Sequence, residues 1–233
     1  MLFRSSFTVN QTLVKDLQYD TLMDLQAVVL LARSANVLAA HPSVAPVTLK
    51  ELVAYAKRNP RKLTYGSFGN GTTAHFAGEM LKSMAGIDMI HVPYKGQGPA
   101  LIDLLAGNID LMFGNLPDFL PHIRAKKLKA YGTTFLHRVP QAPELPTIAE
   151  QGYAGFETDS WYGIVAPASL PRDVVAKMNA EFNRALNDPA MRATLVERGL
   201  EPLGGTSEQF ATHIHNEIAK YAQIVKAANI RID

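Results

Sequence analysis

Short apolar runs separated by polar residues occur in the first fifty residues, in the pattern of buried strands. Runs at 27–32 and 36–40 predict two such strands, and a His-Pro pair ends the second. The motif Thr48-x-x-Glu51 then predicts a capping box, in which a hydroxyl and a carboxylate bond the amides at a helix start. Apolar side chains recur at helical spacing after it. The pattern therefore predicts two strands followed by an amphipathic helix.

A repeating unit of strand, loop and helix follows, from residue 63 to residue 132. The predicted strands are 63–65, 90–92, 109–113 and 128–132. The helices between them begin at prolines or end at glycines, as helices commonly do. Strands joined by helices at this rhythm predict right-handed βαβ units and a parallel sheet.

The C-terminal part of the chain becomes helical after a loop rich in proline and glycine at 135–159. One strand is predicted at 161–165, and three helices follow it. We therefore expect two lobes: 46–159 form the second α/β lobe with a parallel sheet, while 1–45 and 160–233 share the first. This first lobe has too few predicted strands to cover its helices, so we expect it to be incomplete.

Composition excludes several classes of function. The 233 residues are 47% hydrophobic and 19% charged, which is typical of a globular protein. The 23 basic and 21 acidic residues leave a net charge of +2, so no basic field indicates nucleic acid as a partner. The absence of cysteine excludes thiol catalysis, disulfides and thiolate metal sites. The sequence has no run of 18 apolar residues that would predict a membrane span, and its first ten residues lack the apolar segment of a signal peptide.

The segment Gly66-Ser-Phe-Gly-Asn-Gly-Thr-Thr-Ala-His75 lies between a predicted strand and a predicted helix. Ligands of open α/β sheets bind at this edge, where glycines expose backbone amides and a helix N-terminus carries partial positive charge. The segment therefore predicts a site for a carboxylate or a phosphate, with hydroxyls from Ser67, Thr72 and Thr73. A glycine-rich turn with a threonine helix cap is the alternative. A nucleotide-binding P-loop is disfavoured because its lysine is absent.

Further candidate residues follow the neighbouring strands. His75 donates to the ligand, caps the loop or is structural; with Glu79 it supplies only two metal ligands, so no metal is predicted. Lys95 offers a cation unless it is simply solvated, and Asn115 ends the third strand. Trp161 belongs to the core or walls a cleft. The sequence shows no nucleophile motif, metalloprotease helix or paired carboxylates, so we expect neither catalysis nor a cofactor.

Five motifs together carry a family resemblance. They are Tyr65-Gly-Ser-Phe-Gly-Asn-Gly-Thr-Thr-Ala-His75, His91-Val-Pro-Tyr-Lys-Gly96, Asp110-Leu-Met-Phe-Gly-Asn115, Leu145-Pro-Thr-Ile-Ala-Glu150 and Ser160-Trp-Tyr-Gly-Ile-Val-Ala-Pro167. Over essentially its whole length the chain resembles the substrate-binding proteins of tripartite tricarboxylate transporters, the Bug family. The resemblance implies an α/β fold of the two-lobed periplasmic-binding-protein type II class, also called a Venus flytrap.

The resemblance also implies a periplasmic receptor that delivers a small carboxylate to a permease with two integral-membrane subunits. Such ligands include di- and tricarboxylic acids such as citrate, some amino acids and nicotinate-like compounds. The ligand-binding positions of the family carry over to Ser67, Gly69, Asn70, Gly71, Thr72, Thr73 and His75, and further to Tyr94, Lys95, Gly96 and Asn115.

Two departures from the family pattern affect these expectations. The family's first βαβ segment, whose Pro-Gly-Gly loop forms the opposite jaw of the ligand site, is absent, so we expect an N-terminally truncated fold. Gly114 stands where the family often has aspartate, so a polar contact is missing. The alternatives to a receptor are a truncated remnant without high-affinity binding, an anion- or phosphate-handling α/β enzyme, and the ligand-sensing domain of a transcription regulator.

Overall fold

The computed structural model describes residues 1–13 and 17–228 of the chain. The strands are β1 (Leu2–Arg4), β2 (Leu25–Ala40), β3 (Thr64–Ser67), β4 (Ile90–Pro93), β5 (Leu111–Asn115), β6 (Lys129–Thr133), β7 (Asp159–Pro167) and β8 (Glu201–Pro202). The α-helices are α1 (Ser6–Leu13), α2 (Leu49–Arg58), α3 (Thr73–Ala85), α4 (Gln97–Ala106), α5 (Leu116–Arg124), α6 (Arg172–Asn187), α7 (Pro189–Glu197) and α8 (Ser207–Ala228). A short 3₁₀ helix at Ala149–Gln151 lies between β6 and β7.

The chain divides into two compact units. The first unit comprises Met1–Ser34 and Ser160–Asp233, and the second unit comprises Ala35–Asp159. The chain enters the second unit after Ser34, whereas the sequence pattern placed this crossing after residue 45.

Strand β2 is one strand of 16 residues, so the prediction of two separate strands is wrong. The polar residues Arg33 and Ser34 interrupt its apolar pattern, but both side chains have partners. Arg33 Nε donates to Glu201 Oε2 at 3.0 Å. Ser34 Oγ donates to the carbonyl oxygen of Gly199 at 3.3 Å. Because these polar groups are satisfied inside the fold, the strand continues through them.

The sheet of the second unit is mixed. Strand β3 pairs in parallel with β4 and β5, whereas β2 pairs antiparallel with β5 and β6. The predicted parallel sheet is therefore correct for β3, β4 and β5. Residues 36–40 of β2, which the sequence pattern placed in the first lobe, join the same sheet in the antiparallel direction. Helix crossovers favour parallel strands, but no crossover joins β2 directly to β5, so that rule does not set the direction of β2. The parallel strands end together at one edge, at Ser67, Pro93 and Asn115.

Helices cover both faces of this sheet. Leu38 and Ala40 of β2 pack into a cluster with α2 and α3, whereas Val37 and Ala39 pack into a cluster with α4 and α5. This alternation is the period-two pattern of a strand that is buried on both faces.

The predicted capping box begins α2. Glu51 N–H donates to Thr48 Oγ1 at 3.2 Å, and Glu51 Oε2 accepts from the N–H of Thr48 at 3.4 Å. The same carboxylate oxygen accepts from Val47 N–H at 2.9 Å. The motif could be predicted because all of its atoms belong to five consecutive residues.

The first unit has short edge strands that the sequence pattern does not reveal. Strand β1 pairs antiparallel with β7, and β8 pairs antiparallel with β2. Strands of three and two residues are too short to show a period, and α1 lacks acidic residues in its first turn and basic ones in its last. Phe7, Trp161 and Phe210 belong to the core of this unit. Within the described residues, no helix is both long enough and apolar enough to cross a bilayer.

Gly114 in β5 lies against the fully buried ring of Phe119 in α5, and an added Cβ would overlap that ring. An aspartate at this position would meet the same obstruction. We expect Gly114→Ala to lower the free energy of unfolding by about 1–3 kcal/mol, because the ring must shift in a packed core. Urea unfolding measures this change.

Gly98→Ala in α4 is the matched control for this prediction. A Cβ at residue 98 meets nothing within 4 Å, so stability should be unchanged or slightly raised. Equal unfolding midpoints for the two variants would show that the Phe119 ring moves without cost.

Candidate functional site

The glycine loop, residues 68–72, joins β3 to α3 at the carboxyl edge of the sheet. The loop after β4 is bonded to this segment. Tyr94 N–H donates to the carbonyl oxygen of Ser67 at 3.1 Å, and Gly96 N–H donates to that of Phe68 at 3.2 Å. At the end of β5, Asn115 N–H donates to Gln97 Oε1 at 2.7 Å. The structure thus brings the candidate residues from all three strands to one edge, as the topology predicted.

The candidate residues differ in their access to solvent. Asn70 and Lys95 are exposed. The half-buried candidates are Gly69, Thr72, Tyr94, Gly96 and Asn115. The buried candidates are Ser67, Gly71, Thr73 and His75. Only the first two groups are accessible to a ligand in this conformation.

Two glycines are required by the backbone of the loop. Gly69 has φ of 138° and Gly71 has φ of 71°, which are conformations that other residues rarely adopt. A Cβ at Gly69 would also lie 3.3 Å from the carbonyl oxygen of Tyr94. Gly69 is therefore required by both conformation and close packing, and Gly71 by conformation.

The N-cap of α3 is Thr72, but its hydroxyl does not cap the helix. Its carbonyl oxygen accepts from Phe76 N–H at 3.0 Å, while Thr72 Oγ1 donates to the carbonyl oxygen of Gly69 at 2.7 Å. The threonine is therefore at the predicted N-cap position, but its hydroxyl does not make the expected hydrogen bond to the helix. The first turn of α3 also contains no acidic residue. The partial positive charge of this helix N-terminus is therefore not neutralised by an acidic side chain of the first turn.

Thr73 connects the helix start to β2. Its Oγ1 accepts from Asn36 Nδ2 at 3.3 Å, and Asn36 N–H donates to Thr134 Oγ1 at 3.0 Å. Asn36 is fully buried, and its Oδ1 has no hydrogen-bond partner among the described residues. The sequence analysis missed Asn36, although a polar residue opening an apolar run was the available signal.

His75 bonds the loop and stacks on a second histidine. Its Nδ1 accepts from Gly71 N–H at 3.2 Å. Its ring lies 4.0 Å from the ring of His91, with an angle of 5° between the planes. His91 stacks in turn on Tyr65 at 4.8 Å, and its Nε2 is hydrogen-bonded to Ser67 Oγ at 2.7 Å. The sequence analysis did not assign His91 a partner, because its neighbours come from other elements.

Burial keeps both imidazoles neutral. It lowers the pKa of His75 to about 4, although the nearby Glu79 carboxylate acts in the opposite direction. It lowers the pKa of His91 to about 3, with further lowering from His75 and from the Lys82 ammonium. At neutral pH the ring pair therefore carries no charge.

Glu79 completes this buried group. Its Oε1 accepts from Tyr65 Oη at 2.6 Å and from Lys82 Nζ at 2.9 Å. Burial, reinforced by Glu79, raises the pKa of Tyr65. The His75–Glu79 pair considered as two metal ligands is therefore engaged with protein groups. Across residues 1–13 and 17–228, no three His, Cys, Asp or Glu side chains are grouped to hold a metal ion.

Ser67 is not placed as a nucleophile despite its bond to a histidine. The side chain is fully buried. Ser67 Oγ accepts from Gly69 N–H at 3.2 Å and donates to the carbonyl oxygen of Gly69 at 3.1 Å. A hydroxyl with these contacts shapes the loop and is closed to a substrate.

The Tyr94 side chain is turned toward α4. Tyr94 Oη donates to Asp103 Oδ2 at 2.7 Å. Burial and this hydrogen bond raise the pKa of Tyr94 to about 12, while the same bond lowers the pKa of Asp103. Lys95 is therefore the more accessible side chain of this loop.

Trp161 lies in the core of the first unit. It is fully buried and meets the rings of Phe210 at 5.5 Å and His213 at 5.4 Å, both edge-on. This position fits the core interpretation. Its role as the wall of a ligand cleft stays a prediction that burial does not support.

A groove of about 290 Å³ lies in the first unit. Its lining residues are Thr21, Leu22, Leu25, Gln26, Ala27, Ser207, Glu208, Ala211, Ile214 and His215. Two of its polar groups are already engaged with backbone. Gln26 Nε2 donates to the carbonyl oxygen of Pro167 at 2.8 Å, and Ser207 Oγ donates to that of Val28 at 2.8 Å. We therefore assign no ligand to this groove.

Several solved structures are similar to this chain in fold and in sequence over almost its whole length. Rpa4515 of R. palustris, solved with adipate, is 33% identical with a TM-score of 0.91, covering 99% of this chain and 77% of that one. The periplasmic binding protein BugD is 31% identical with a TM-score of 0.87, covering 99% and 78%. MatC of Rhodopseudomonas palustris, with bound malate, is 28% identical with a TM-score of 0.84, covering 96% and 78%.

A curated relative is also similar. The protein of the tcbD-tcbE intergenic region of Pseudomonas sp. strain P51 is 37% identical over 208 residues, or 89% of this chain. The chain spans 62% of that relative's length.

The mixed α/β fold is that of the two-lobed periplasmic-binding-protein type II class, as in these neighbours. The chain belongs to the tripartite tricarboxylate transporter receptor family, whose model matches residues 1–230. The family resemblance and the fold class are thereby confirmed. The family is one of transporter receptors and BugD is a periplasmic binding protein, which are binding proteins and not enzymes.

The neutral histidine pair predicts acid sensitivity. Unfolded histidines take up protons below a pKa of about 6.5, whereas folded His75 and His91 resist protonation down to about 4 and 3. The unfolded state therefore binds more protons in this window, and stability present above about pH 6.5 is lost as the pH falls toward the folded pKa values.

We expect the free energy of unfolding to fall more steeply between pH 6.5 and pH 4 in the unsubstituted protein than in His91→Gln. Urea unfolding at a series of pH values measures both curves. Carboxylates titrate in both proteins, so the difference isolates the histidine. Parallel curves would contradict the neutral state of His91.

Proposed function

We propose that this chain is the ligand-binding part of a periplasmic receptor that captures a small carboxylate at the glycine loop. It would deliver the acid to the integral-membrane permease subunits of a tripartite tricarboxylate transporter. The acids named for Rpa4515 and MatC, adipate and malate, are both dicarboxylates, which supports this ligand class.

The observation that carries the proposal is the start of α3. Its N-cap hydroxyl bonds the loop, and its first turn has no acidic side chain. A carboxylate beside such a helix start gains both hydrogen bonds and a favourable interaction with the helix dipole. A charged hydrogen bond of this kind contributes about 1.5–3 kcal/mol.

The proposed contacts divide by exposure. The groups offered to the ligand are Gly69, Asn70, Thr72, Lys95, Gly96 and Asn115, all exposed or half-buried. The other candidate residues support these loops and do not contact the ligand. They are Ser67, Gly71, Thr73, His75 and Tyr94. The ligand needs no cofactor and no metal for this recognition. Ser67, the loop hydroxyl that is hydrogen-bonded to a histidine, is fully buried, which disfavours the enzyme alternative.

Asn70→Ala and Lys95→Gln test the proposed contacts without disturbing the core, since both residues are exposed. We expect each variant to bind adipate or malate about 3- to 10-fold more weakly, because each removes one solvent-exposed polar contact. Isothermal titration calorimetry measures the affinity.

Lys127→Gln is the control, because it removes an exposed lysine of the same unit from the turn between α5 and β6. If Lys95→Gln and Lys127→Gln bind the acids with equal affinity, Lys95 is not part of the site. Absence of binding to both acids by the unsubstituted chain would instead favour the remnant without high-affinity binding.

A further inference from the structure

The acceptor for Gly71 comes from an unusual residue type. His75 is the third residue of α3, counted from the N-cap Thr72. In a capping box, a glutamate or glutamine at this third position reaches back to the amides before the helix. His75 Nδ1 performs this task for Gly71 N–H at 3.2 Å.

Two other helix starts in the same chain use the usual residue types. In α2, Glu51 Oε2 accepts from Val47 N–H at 2.9 Å, four residues earlier, as His75 does in α3. At the start of α8, Gln209 Oε1 accepts from Thr206 N–H at 2.8 Å. The helix beside the glycine loop thus has a neutral imidazole where α2 has a carboxylate.

The charge of the side chain at the third position of α3 matters because this position lies beside the glycine loop, where the ligand is proposed to bind. A glutamate stabilises a helix start through the dipole, but it places a negative charge where an anion would bind. An imidazole that accepts a hydrogen bond at Nδ1 must carry its proton on Nε2, and burial keeps it neutral. It therefore satisfies the amide without repelling a carboxylate.

Neighbouring elements fix this ring in place. His91 of β4 stacks on it at 4.0 Å and bonds Ser67 Oγ, at the other end of the glycine loop. Tyr65 of β3 stacks on His91, and Glu79 and Lys82 lie on α3 itself. The ring pair thus holds the loop at both ends.

We propose that His75 is a positioning residue, whose neutral imidazole shapes the glycine loop while leaving the helix start free of negative charge. The ligand is bound by the loop and not by the ring. This inference rests on the proposed function for its ligand-binding consequence alone; its effect on the loop is independent of any ligand.

The ligand-free test compares the full chain with His75→Gln and His75→Leu. Hydrogen exchange of Gly71 N–H should be similar in the unsubstituted protein and His75→Gln, whose amide oxygen can accept the same bond. It should be at least about 10-fold faster in His75→Leu, where the acceptor is lost. Equal exchange in all three proteins would overturn the proposal.

A second measurement remains decisive if His75→Leu fails to fold. Nitrogen-15 NMR of the unsubstituted protein should show His75 as the neutral Nε2–H tautomer from pH 8 to pH 5. A proton on Nδ1, or a charged ring in this range, would contradict the role of His75 as a neutral acceptor.

The ligand-binding test compares His75→Gln with His75→Glu, which differ in charge and hardly in size. His75→Gln should bind adipate or malate within about 3-fold of the unsubstituted protein, and His75→Glu at least about 10-fold more weakly at pH 7.5. Equal affinities of the two variants at pH 7.5 would overturn the role of charge.

Failure of the proposed function gives a different result. If the unsubstituted protein binds neither acid, the carboxylate receptor proposal fails for these probes. The exchange and NMR experiments still decide whether His75 positions the loop.

Discussion

The hydrogen-bond partners at the start of α3 determine the charge at the carboxyl edge of the second unit's sheet. The N-cap hydroxyl of Thr72 goes to the loop, Thr73 is bonded by buried Asn36, and Gly71 is bonded by His75. Each contact satisfies a polar group without bringing in a carboxylate. The positive end of the helix dipole is therefore not neutralised by the side chains of its own first turn.

The loop and the ring pair have separate tasks in this arrangement. Asn70 and Lys95 are accessible but have little packing to fix them, whereas His75 and His91 are packed and have restricted access to solvent. Recognition needs accessible groups, and precision needs packed ones. The proposed site contains both kinds of group within a few residues, because Asn70 is exposed and His75 is buried.

Features with local causes could be predicted from the sequence. The glycine loop, the α2 capping box and the parallel order of β3, β4 and β5 follow from neighbouring residues and from helix crossovers. The direction of β2 and the partner of His91 could not, because they depend on strand pairing between distant segments. For His75 the sequence left three possibilities open, and the structure adds the contact of its ring with Gly71 of the loop.

The sequence contains one tryptophan, and Trp161 is fully buried in the core of the first unit. Indole fluorescence is therefore a reporter for that unit alone, whereas the second unit has only tyrosines to emit. Indole emission can thus follow the unfolding of the first unit without an attached dye.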